Sequence, residues 1–356
     1  MKILSVVGAR PQFVKLAPVA KALDAAGARH VIVHTGQHYD ADMSAIFFAD
    51  LDIPAPDAHL GIGSGTHGAQ TGAMLAALDA VIDAERPDWV LVYGDTNSTL
   101  AAAIAAVKLH VPLAHLEAGL RSHNRRMPEE HNRVLTDHAA DLLLAPTALA
   151  MRNLASEGLG DRSVLVGDVM TDVCLLVRDA IIAEPPPRPA ELGEADRYVV
   201  ATIHRADNTD DPDRLEAVIA ALAELPVPVL LLAHPRLVRL AREYGVSLER
   251  GAIRPATPLG YPAMIAAVVG SAGVVTDSGG LQKESFLLGT PCTTLRSETE
   301  WLETLDGGWN ILDNDLTMLG RIAARPAPTT PRGTPYGDGH AAAAVARTLL
   351  TANLDA

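Results

Sequence analysis

Cysteine and aromatic residues are scarce in this 356-residue chain. Cys174 and Cys292 are its only two cysteines, and they form no Cys-x-x-Cys pair, so the sequence offers neither a disulfide framework nor a zinc knuckle. Aromatic residues make up 4% of the chain, which leaves few rings on which nucleic-acid bases could stack. We expect both cysteines to be buried as small hydrophobic side chains, and we expect a reducing, cytoplasmic location.

Long apolar runs and basic clusters are also missing. No apolar stretch is long enough to cross a bilayer, and the first apolar run, Ile3 to Val7, follows no signal-peptide pattern. The formal net charge of −14 repels nucleic acid and anionic membranes, and no run of lysine or arginine interrupts that field. We therefore expect neither a polynucleotide partner nor a membrane partner.

The chain is rich in Ala, Val, Leu and Ile, and its hydrophobic fraction is 48%. Short apolar runs alternate with helical patterns, as in βαβ units that form parallel sheets. The predicted strands are Ile3 to Val7, Val31 to Val33, Trp89 to Tyr93, Pro112 to Leu116, Leu142 to Leu144, Tyr198 to Ile203, Val229 to Ala233, Gly273 to Thr276 and Cys292 to Leu295. This pattern predicts an α/β protein with two open parallel sheets.

A proline-rich stretch from Glu184 to Pro189 cannot continue a helix and is typical of a linker. It predicts a boundary between a first Rossmann-like domain, residues 1–183, and a second one, residues 184–340. In such sheets ligands lie beyond the carboxyl ends of the strands. We expect one site that the two domains share.

A glycine pair follows one of the predicted strands in the sequence T-D-S-G-G-L-Q-K-E, which starts at Thr276. A helix that begins at Ser278, Gly279 and Gly280 presents unpaired backbone N–H groups, and glycine lets an anionic ligand approach them. Glu284, about two turns on, can accept from ribose hydroxyls. The pattern therefore predicts a site for a nucleotide diphosphate, with a tight turn that binds no ligand as the alternative.

Three acidic residues of the first half lie just past predicted strands or in a loop: Asp95, Glu117 and Glu129. If they converge, their mutual repulsion and partial burial should raise the pKa of at least one of them and produce a general acid or base. The alternative is structural: Asp95 caps the helix after Gly94, and Glu129 pairs with Arg133.

A histidine and an arginine end another predicted strand in the sequence T-I-H-R. This position favours a binding role for His204 beside an anionic ligand, against a purely structural role. Arg10 and Lys15 lie near the end of the first strand, with solvated surface charge as their alternative. The histidines and acids fall at no recognised metal-ligand spacing, so we expect no metal.

Seven motifs occur in order along the chain. They are G-A-R-P-Q-F-V-K (Gly8 to Lys15), H-T-G-Q-H-Y (His34 to Tyr39), Y-G-D-T-N-S-T (Tyr93 to Thr99), H-L-E-A-G-L-R (His115 to Arg121), P-E-E-H-N-R, T-I-H-R and D-S-G-G. With these motifs the chain closely resembles the non-hydrolysing UDP-N-acetylglucosamine 2-epimerases, from residue 3 to the stretch Pro335 to Gly339.

The resemblance implies the glycosyltransferase-B architecture of two Rossmann-like domains, with a final helix in residues 341–356, over Ala341 to Thr351, that packs back on the first domain. It implies a homodimer, a UDP-sugar substrate and no cofactor. The implied reaction interconverts UDP-GlcNAc and UDP-ManNAc by eliminating UDP to give 2-acetamidoglucal and then adding UDP back. Hydrolytic members of the fold, which release ManNAc and UDP, remain an alternative.

The resemblance also implies roles for single residues. Asp95, Glu117 and Glu129 match the catalytic carboxylates of the family, and His204 lies near the leaving diphosphate. The residues matched to nucleotide-sugar contacts are Arg10, Lys15, Ser278, Gly279, Gly280 and Glu284, and we add Arg133 to the substrate-binding set.

Two departures from the family pattern affect the expected specificity. Many members have an arginine in T-E-R-P-E, where this chain has Trp301, and this version resembles the subgroup that acts on UDP-2,3-diacetamido-2,3-dideoxy-glucuronate. That sugar is the alternative substrate. Small residues between Gly61 and Gln70 replace the Arg-Gln pair of an allosteric UDP-GlcNAc site, so we do not expect allosteric activation.

Two other classes of function fit the same fold. A glycosyltransferase would bind an acceptor and transfer the sugar to it, and the three acids argue against this class. A nucleotide-sugar sensor would not require Asp95, Glu117 and Glu129 together.

Overall fold

The computed structural model describes residues 1–37 and 53–352. The chain divides into two compact units: unit 1 consists of Met1–Val173 and the chain from Thr334 on, and unit 2 is Cys174–Gly333. The first division falls inside a helix, Val169–Ala183, and the proline-rich stretch 184–189 follows that helix within unit 2.

Both units are built from short buried strands that alternate with helices, in the described ranges. The strands of unit 1 are β1 (Lys2–Val7), β2 (Arg29–His34), β3 (Ala58–His59), β4 (Trp89–Tyr93), β5 (Leu113–Leu116), β6 (Leu142–Ala145) and β7 (Ser163–Leu165). The strands of unit 2 are β8 (Val199–Thr202), β9 (Val229–Leu232), β10 (Ile253–Ala256), β11 (Gly273–Thr276), β12 (Cys292–Thr294) and β13 (Asn310–Leu312). Each of the strands predicted from the sequence is present, with its ends within about two residues of the prediction.

The helices, in chain order through the described residues, are α1 (Arg10–Ala25), α2 (His67–Glu85), α3 (Asn97–Lys108), α4 (Pro128–Ala139), α5 (Ala148–Ser156), α6 (Val169–Ala183), α7 (Ala206–Thr209), α8 (Pro212–Ala223), α9 (Pro235–Tyr244), α10 (Tyr261–Val269), α11 (Gly279–Leu288), α12 (Leu319–Ile322) and α13 (Ala341–Thr351). Short 3₁₀ segments occur at Gly160–Arg162, Ala190–Leu192 and Leu302–Gly308.

All strand pairs in both sheets are parallel. The sheet of unit 1 has the order β3-β2-β1-β4-β5-β6-β7, and that of unit 2 has the order β10-β9-β8-β11-β12-β13. In each sheet the chain reverses its direction of strand addition once, between β1 and β4 in unit 1 and between β8 and β11 in unit 2. Ligands of doubly wound sheets bind at such a switch point, beyond the carboxyl ends of the strands.

The scarcity of aromatic residues shapes the core of unit 1. Helix α3 buries five alanines completely or nearly so, Ala101, Ala102, Ala103, Ala105 and Ala106, against strands of Val and Leu. Because alanine has no side chain beyond Cβ, the helix backbone lies close to the sheet without loss of rotamer entropy. The other face of this sheet is covered by α1 and α13, which pack on each other.

The ends of two helices follow the sequence signals. Helix α1 has Pro11 in its first turn, where its missing N–H is not needed, and Gly27 follows the helix with a φ of +73°. The last helix, α13, covers Ala341–Thr351 as predicted and buries Val345 and Leu349 in the core of unit 1.

No helix in residues 1–37 and 53–352 is both long and apolar enough to span a membrane. Within the same ranges, no three or more His, Cys, Asp or Glu side chains are grouped so that they could hold a metal ion.

Candidate functional site

In unit 1 the loops after β1 and β4 are joined at the switch point by one buried side chain, Gln12. Its Oε1 accepts from the backbone N–H groups of Gly8 at 2.8 Å and Ala9 at 3.0 Å, and its Nε2 donates to the Tyr93 carbonyl at 2.9 Å. A Cβ atom on Gly8 would collide with Thr35 and a neighbouring serine, so this turn requires glycine. These contacts fix the turn between β1 and α1, which forms one edge of the crevice at the switch point.

The buried Lys15 forms an ion pair with the partly buried Glu117 beside this crevice. Burial alone would lower the pKa of Lys15, but the charges of Glu117, then Asp168 and Asp95, outweigh it and raise the pKa. The alternative of a solvated surface charge is wrong for Lys15, which is only 9% exposed. Lys15 therefore keeps its charge inside the unit.

The turn around this pair has little room for side chains. Gly94 has a φ of +61°, and a Cβ there would lie 3.2 Å from the Glu117 carboxylate and 3.4 Å from the Lys15 ammonium. Glu117 itself adopts a φ of +74°, an uncommon conformation for a residue with a side chain. Such backbone strain is concentrated at functional sites and persists only where the surroundings hold it in place.

Arg133 holds Asp95 and Glu130 together. Its Nε donates to Asp95 Oδ2 at 3.1 Å, its Nη2 contacts the same oxygen, and its Nη1 donates to Glu130 Oε2 at 2.8 Å. Burial acts to lower the pKa of Arg133, yet Asp95, Glu130 and Glu117 raise it. The charges of Asp95 and Glu117 thus raise the pKa of both Lys15 and Arg133, so these two predicted acids lie in one cluster with two cations.

Two structural alternatives from the sequence are wrong. The N-cap of α3 is Thr96, whose hydroxyl accepts from Thr99 N–H, so Asp95 does not cap that helix. The acid that pairs with Arg133 on its own helix is Glu130 and not Glu129.

Glu129 and Glu130 face different surroundings although they are adjacent in α4. Glu130 is 6% exposed and accepts from the N–H groups of Ser122 and His123, both at 2.9 Å. Burial opposes the charge of Glu130, but these donors and Arg133 lower its pKa. Glu129 is half-buried and makes no hydrogen bond or ion pair to any residue in the described ranges. Its carboxylate is therefore available to a ligand.

A buried network under this cluster contains His115, Asp137 and Arg121, none of which the sequence interpretation assigned a role. His115 Nε2 donates to the Gly94 carbonyl at 2.7 Å, and its Nδ1 lies 2.6 Å from Asp137 Oδ1. Arg121 donates to the other Asp137 oxygen at 2.7 Å and to Glu157 at 2.8 and 2.7 Å. Burial would raise the pKa of Asp137, but His115 and Arg121 lower it. The network fixes the peptide that precedes Asp95.

In unit 2 the predicted strand-to-helix turn is present at β11 and α11. Ser278 is the N-cap of α11, and its hydroxyl accepts from Leu281 N–H at 3.4 Å. The backbone N–H groups of Gly279 and Gly280 have no acceptor among the described residues, as expected at the first turn of a helix. They form two donors at the positive end of the helix dipole, where an anionic oxygen can bind.

His204 and Arg205 lie beside this turn because Asp277 holds them there. The Asp277 carboxylate accepts from the backbone N–H groups of His204 and Arg205 at 3.0 to 3.1 Å, and its Oδ1 lies 3.0 Å from His204 Nδ1. Burial would raise the pKa of Asp277, but His204, Arg205 and Asn208 lower it. The His204 side chain is 44% exposed, so it remains accessible from solvent.

Glu284 lies on the buried side of α11 and is 6% exposed. Tyr261 lies near it, and burial together with the Glu284 carboxylate raises the pKa of Tyr261. The role of Glu284 in binding ribose stays a prediction.

Trp301 packs on the same helix. Its ring lies 4.0 Å from the ammonium group of Lys283, a cation–π contact, and Trp301 is 6% exposed. Its backbone N–H donates to the Thr299 hydroxyl at 3.1 Å, and that hydroxyl donates to Gln282 Oε1 at 2.6 Å. The segment that carries the departure from the family pattern is thus attached to α11 at two successive points.

One predicted contact residue and one predicted motif extend beyond the described part of the chain. Arg10 starts α1, but its side chain lies outside the described structure. His38 and Tyr39 of the H-T-G-Q-H-Y motif lie outside the described residues.

The chain matches the family model described as UDP-N-acetylglucosamine 2-epimerase over residues 21–350. It is 46% identical to the UDP-2,3-diacetamido-2,3-dideoxy-D-glucuronate 2-epimerase of Pseudomonas aeruginosa, and the alignment covers 98% of this chain and 99% of that protein. A crystal structure of the Methanocaldococcus jannaschii UDP-GlcNAc 2-epimerase in complex with UDP-GlcNAc and UDP has a TM-score of 0.86 and 38% identity, with 99% of this chain and 100% of that chain covered.

The UDP-GlcNAc 2-epimerase from Neisseria meningitidis bound to UDP-GlcNAc has a TM-score of 0.83 and 26% identity, with 99% of this chain and 100% of that chain covered. These likenesses, together with the two parallel sheets, confirm the predicted α/β glycosyltransferase-B fold class.

Proposed function

Because the chain belongs to the UDP-N-acetylglucosamine 2-epimerase family, we propose that it inverts carbon 2 of a UDP-linked 2-acetamido sugar without hydrolysing it. The observation that carries this proposal is that one chain has both a cluster of acids suited to proton transfer and a helix N-terminus suited to binding an anion. Unit 1 clusters Asp95 and Glu117 with two cations, and unit 2 presents free backbone donors at Gly279 and Gly280.

The proposed reaction begins with removal of the C2 proton by a carboxylate. The electron pair of the C2–H bond forms the C1=C2 double bond, and the bond from C1 to the diphosphate oxygen breaks. The products are UDP and a 2-acetamidoglucal. In the reverse sense, the UDP oxygen adds to C1 while a proton is delivered to the opposite face of C2, which gives the epimer. No net oxidation occurs.

The residues of unit 1 suit proton transfer on a bound sugar. Asp95 and Glu117 are held in place by Arg133 and Lys15, so their positions vary little, and no partner among the described residues restrains Glu129. We propose these three acids as the acid–base set. His115 and Asp137 serve as positioning residues because they hold the Gly94 peptide.

The residues of unit 2 suit capture of the leaving group. Diphosphate charge grows as the C1–O bond breaks, and the donors of Gly279 and Gly280, with Arg205 and His204 beside them, can stabilise it. Ser278 caps the helix that presents these donors. Retention of UDP is essential, since the glucal can return to product only if UDP is still bound.

We propose UDP-2,3-diacetamido-2,3-dideoxy-D-glucuronate as the preferred substrate, with UDP-GlcNAc as the second candidate. The support is the similarity to the Pseudomonas aeruginosa enzyme that bears this activity in its name, together with Trp301 at the position where the sequence departs from T-E-R-P-E. The UDP-GlcNAc epimerases of Methanocaldococcus jannaschii and Neisseria meningitidis support the second candidate.

The proposal is tested by comparing kcat/KM for both UDP-sugars, with product sugars separated by chromatography. We expect epimerisation of the diacetamido-glucuronate at least about tenfold more efficiently than that of UDP-GlcNAc, a difference of about 1.4 kcal/mol in transition-state binding. Asp95→Asn and Glu117→Gln should abolish epimerisation while UDP binding persists. Release of free sugar and UDP in step with turnover would instead identify a hydrolysing enzyme, and loss of UDP binding in both variants would contradict the division of roles.

A further inference from the structure

One carboxylate lies where an anionic ligand of α11 would approach. A Cβ atom on Gly279 would collide with Glu300 Oε1, so this oxygen lies directly over the first residue of the helix. Oε1 is also 4.0 Å from Arg205 Nη2, and Oε2 is 2.8 Å from Arg296 Nη1. We call the N–H groups of Gly279 and Gly280, with the guanidinium groups of Arg205 and Arg296, the anion seat.

The backbone around Glu300 is fixed on both sides. Thr299 is buried and bonded to Gln282 of α11, and Trp301 is buried under the ammonium group of Lys283. The Glu300 side chain between them is 26% exposed. The side chain can therefore rotate toward solvent without any movement of the backbone.

Two ion pairs, and no aligned hydrogen bond among the described residues, hold the carboxylate in the anion seat. The separation from Arg205 is at the outer limit of an ion pair, and the Nη1 atom of Arg296 makes no aligned hydrogen bond to any group in the described ranges. Neither Gly279 N–H nor Gly280 N–H donates to Glu300. The partly exposed pair with Arg205 contributes little to stability. The diphosphate of a UDP-sugar as a whole carries more negative charge than a carboxylate and has more acceptor oxygens, so it can replace Glu300.

From this geometry we propose that Glu300 is an internal competitor for the diphosphate of the UDP-sugar: it occupies the anion seat and rotates out when the ligand binds. The inference rests on the proposed function, since it assumes that the seat takes the diphosphate. A competitor lowers the affinity for the nucleotide and speeds its release. A limit on nucleotide affinity suits an epimerase, because an anion seat that binds UDP tightly enough to hold it during the reaction would otherwise release the product slowly.

Arg205 and Arg296 also line a cavity of about 510 Å³ on this side of unit 2. Both arginines therefore border an open cavity as well as the Glu300 carboxylate. Glu300 then acts as a counter-ion that keeps two arginines together in the absence of a ligand.

The test is calorimetric titration of the full-length protein with UDP and, separately, with uridine. Variants Glu300→Gln and Glu194→Gln remove the same charge, but Glu194 is exposed and lines no part of the cavity beside Arg205 and Arg296, so it controls for net charge. We expect Glu300→Gln to tighten UDP binding by roughly fivefold or more, the factor that corresponds to the attraction between a carboxylate and a guanidinium about 4 Å apart in a water-like medium, which UDP would no longer have to displace. We expect no change for uridine, which has no phosphate.

A second variant separates the effect of the lost charge from the effect of a changed side chain. Glu300→Asp keeps the charge but shortens the side chain by one methylene, and it should tighten UDP binding by less than Glu300→Gln does. Unchanged or weaker UDP binding in Glu300→Gln would overturn the proposal, because Glu300 would then support the seat. Equal tightening for UDP and uridine would also overturn it. A wild-type protein that binds no UDP would contradict the proposed function itself.

Discussion

Asp277 is the residue of unit 2 on which the positions of His204 and Arg205 depend, and its replacement makes the sharpest prediction. Asp277→Asn exchanges one carboxylate oxygen for an NH₂ group. Oδ1 accepts from the His204 N–H at 3.1 Å, and Oδ2 accepts from the His204 and Arg205 N–H groups at 3.0 Å, so an amide in either orientation loses at least one of these bonds. A hydrogen bond to a charged group contributes about 1.5–3 kcal/mol, and a buried donor left unpaired adds to the loss. We expect the free energy of unfolding to fall by about 3 kcal/mol or more at pH 7.

The pH dependence of this loss follows from the lowered pKa of Asp277. Its ordinary value is 3.8, and the folded protein holds the pKa below that value. The stability that the carboxylate contributes is therefore fully present above about pH 5 and is lost as the pH falls through the folded pKa. The stability difference between wild type and Asp277→Asn should be present at pH 5 and above and should shrink below pH 3.8.

Urea unfolding followed by tryptophan fluorescence measures this difference, since Trp301 and Trp309, two of the three tryptophans, lie in unit 2. Asp207→Asn is the matched control: Asp207 is exposed in α7 and makes no hydrogen bond or ion pair within the described ranges. A loss below about 1 kcal/mol at pH 7, or an equal loss in Asp207→Asn, would refute the reasoning.

Three further predictions concern unit 1. Glu129→Gln should lower kcat and leave Tm unchanged, because the Glu129 carboxylate has no partner among the described residues. Glu130→Gln should lower Tm by several degrees, because the Glu130 carboxylate holds a backbone turn. A fall in Tm for Glu129→Gln would contradict this difference. Lys15→Gln leaves a partly buried carboxylate without its cation, and kcat/KM should fall at least about tenfold; unchanged kinetics would mean that the ion pair does not support catalysis. Gly119→Ala should destabilise the protein by more than about 2 kcal/mol, since a methyl group would collide with α5. Gly158 has a similar positive φ but lies in open space, so Gly158→Ala should cost only about 1 kcal/mol. Equal losses in urea unfolding would refute the steric argument.

The strands that sequence patterns identified are the central ones, and the strands they missed are the edges of the two sheets. The missed strands β3 and β7 are the edges of the first sheet, and β10 and β13 are the edges of the second. Central parallel strands are buried on both faces and are therefore continuous apolar runs. Edge strands are partly exposed and short, and β10 contains Arg254 and Pro255, which are compatible with an edge but carry no apolar signal.

Asp95, Glu117 and the glycine pair could be proposed from the sequence because they follow strand ends, where a buried run stops at a polar residue. Sequence could not show which partners these residues have. Glu130 and Arg133 are three residues apart, a spacing that allows an ion pair, but Asp95 meets Arg133 across 38 positions of the chain. His115 lay within a motif, yet its contact with Asp137 depends on how α4 packs against β5. Glu300 gave no signal at all, because only the fold brings it to Gly279.

Proton NMR of the purified protein with UDP-2,3-diacetamido-2,3-dideoxy-D-glucuronate in deuterated water tests the central claim most directly. We predict that deuterium appears at C2 of the epimer, with UDP still attached and no free sugar, and that Asp95→Asn shows none of this exchange. Epimer formed with hydrogen retained at C2, or no conversion of this substrate and of UDP-GlcNAc alike, would contradict epimerisation by proton exchange at C2.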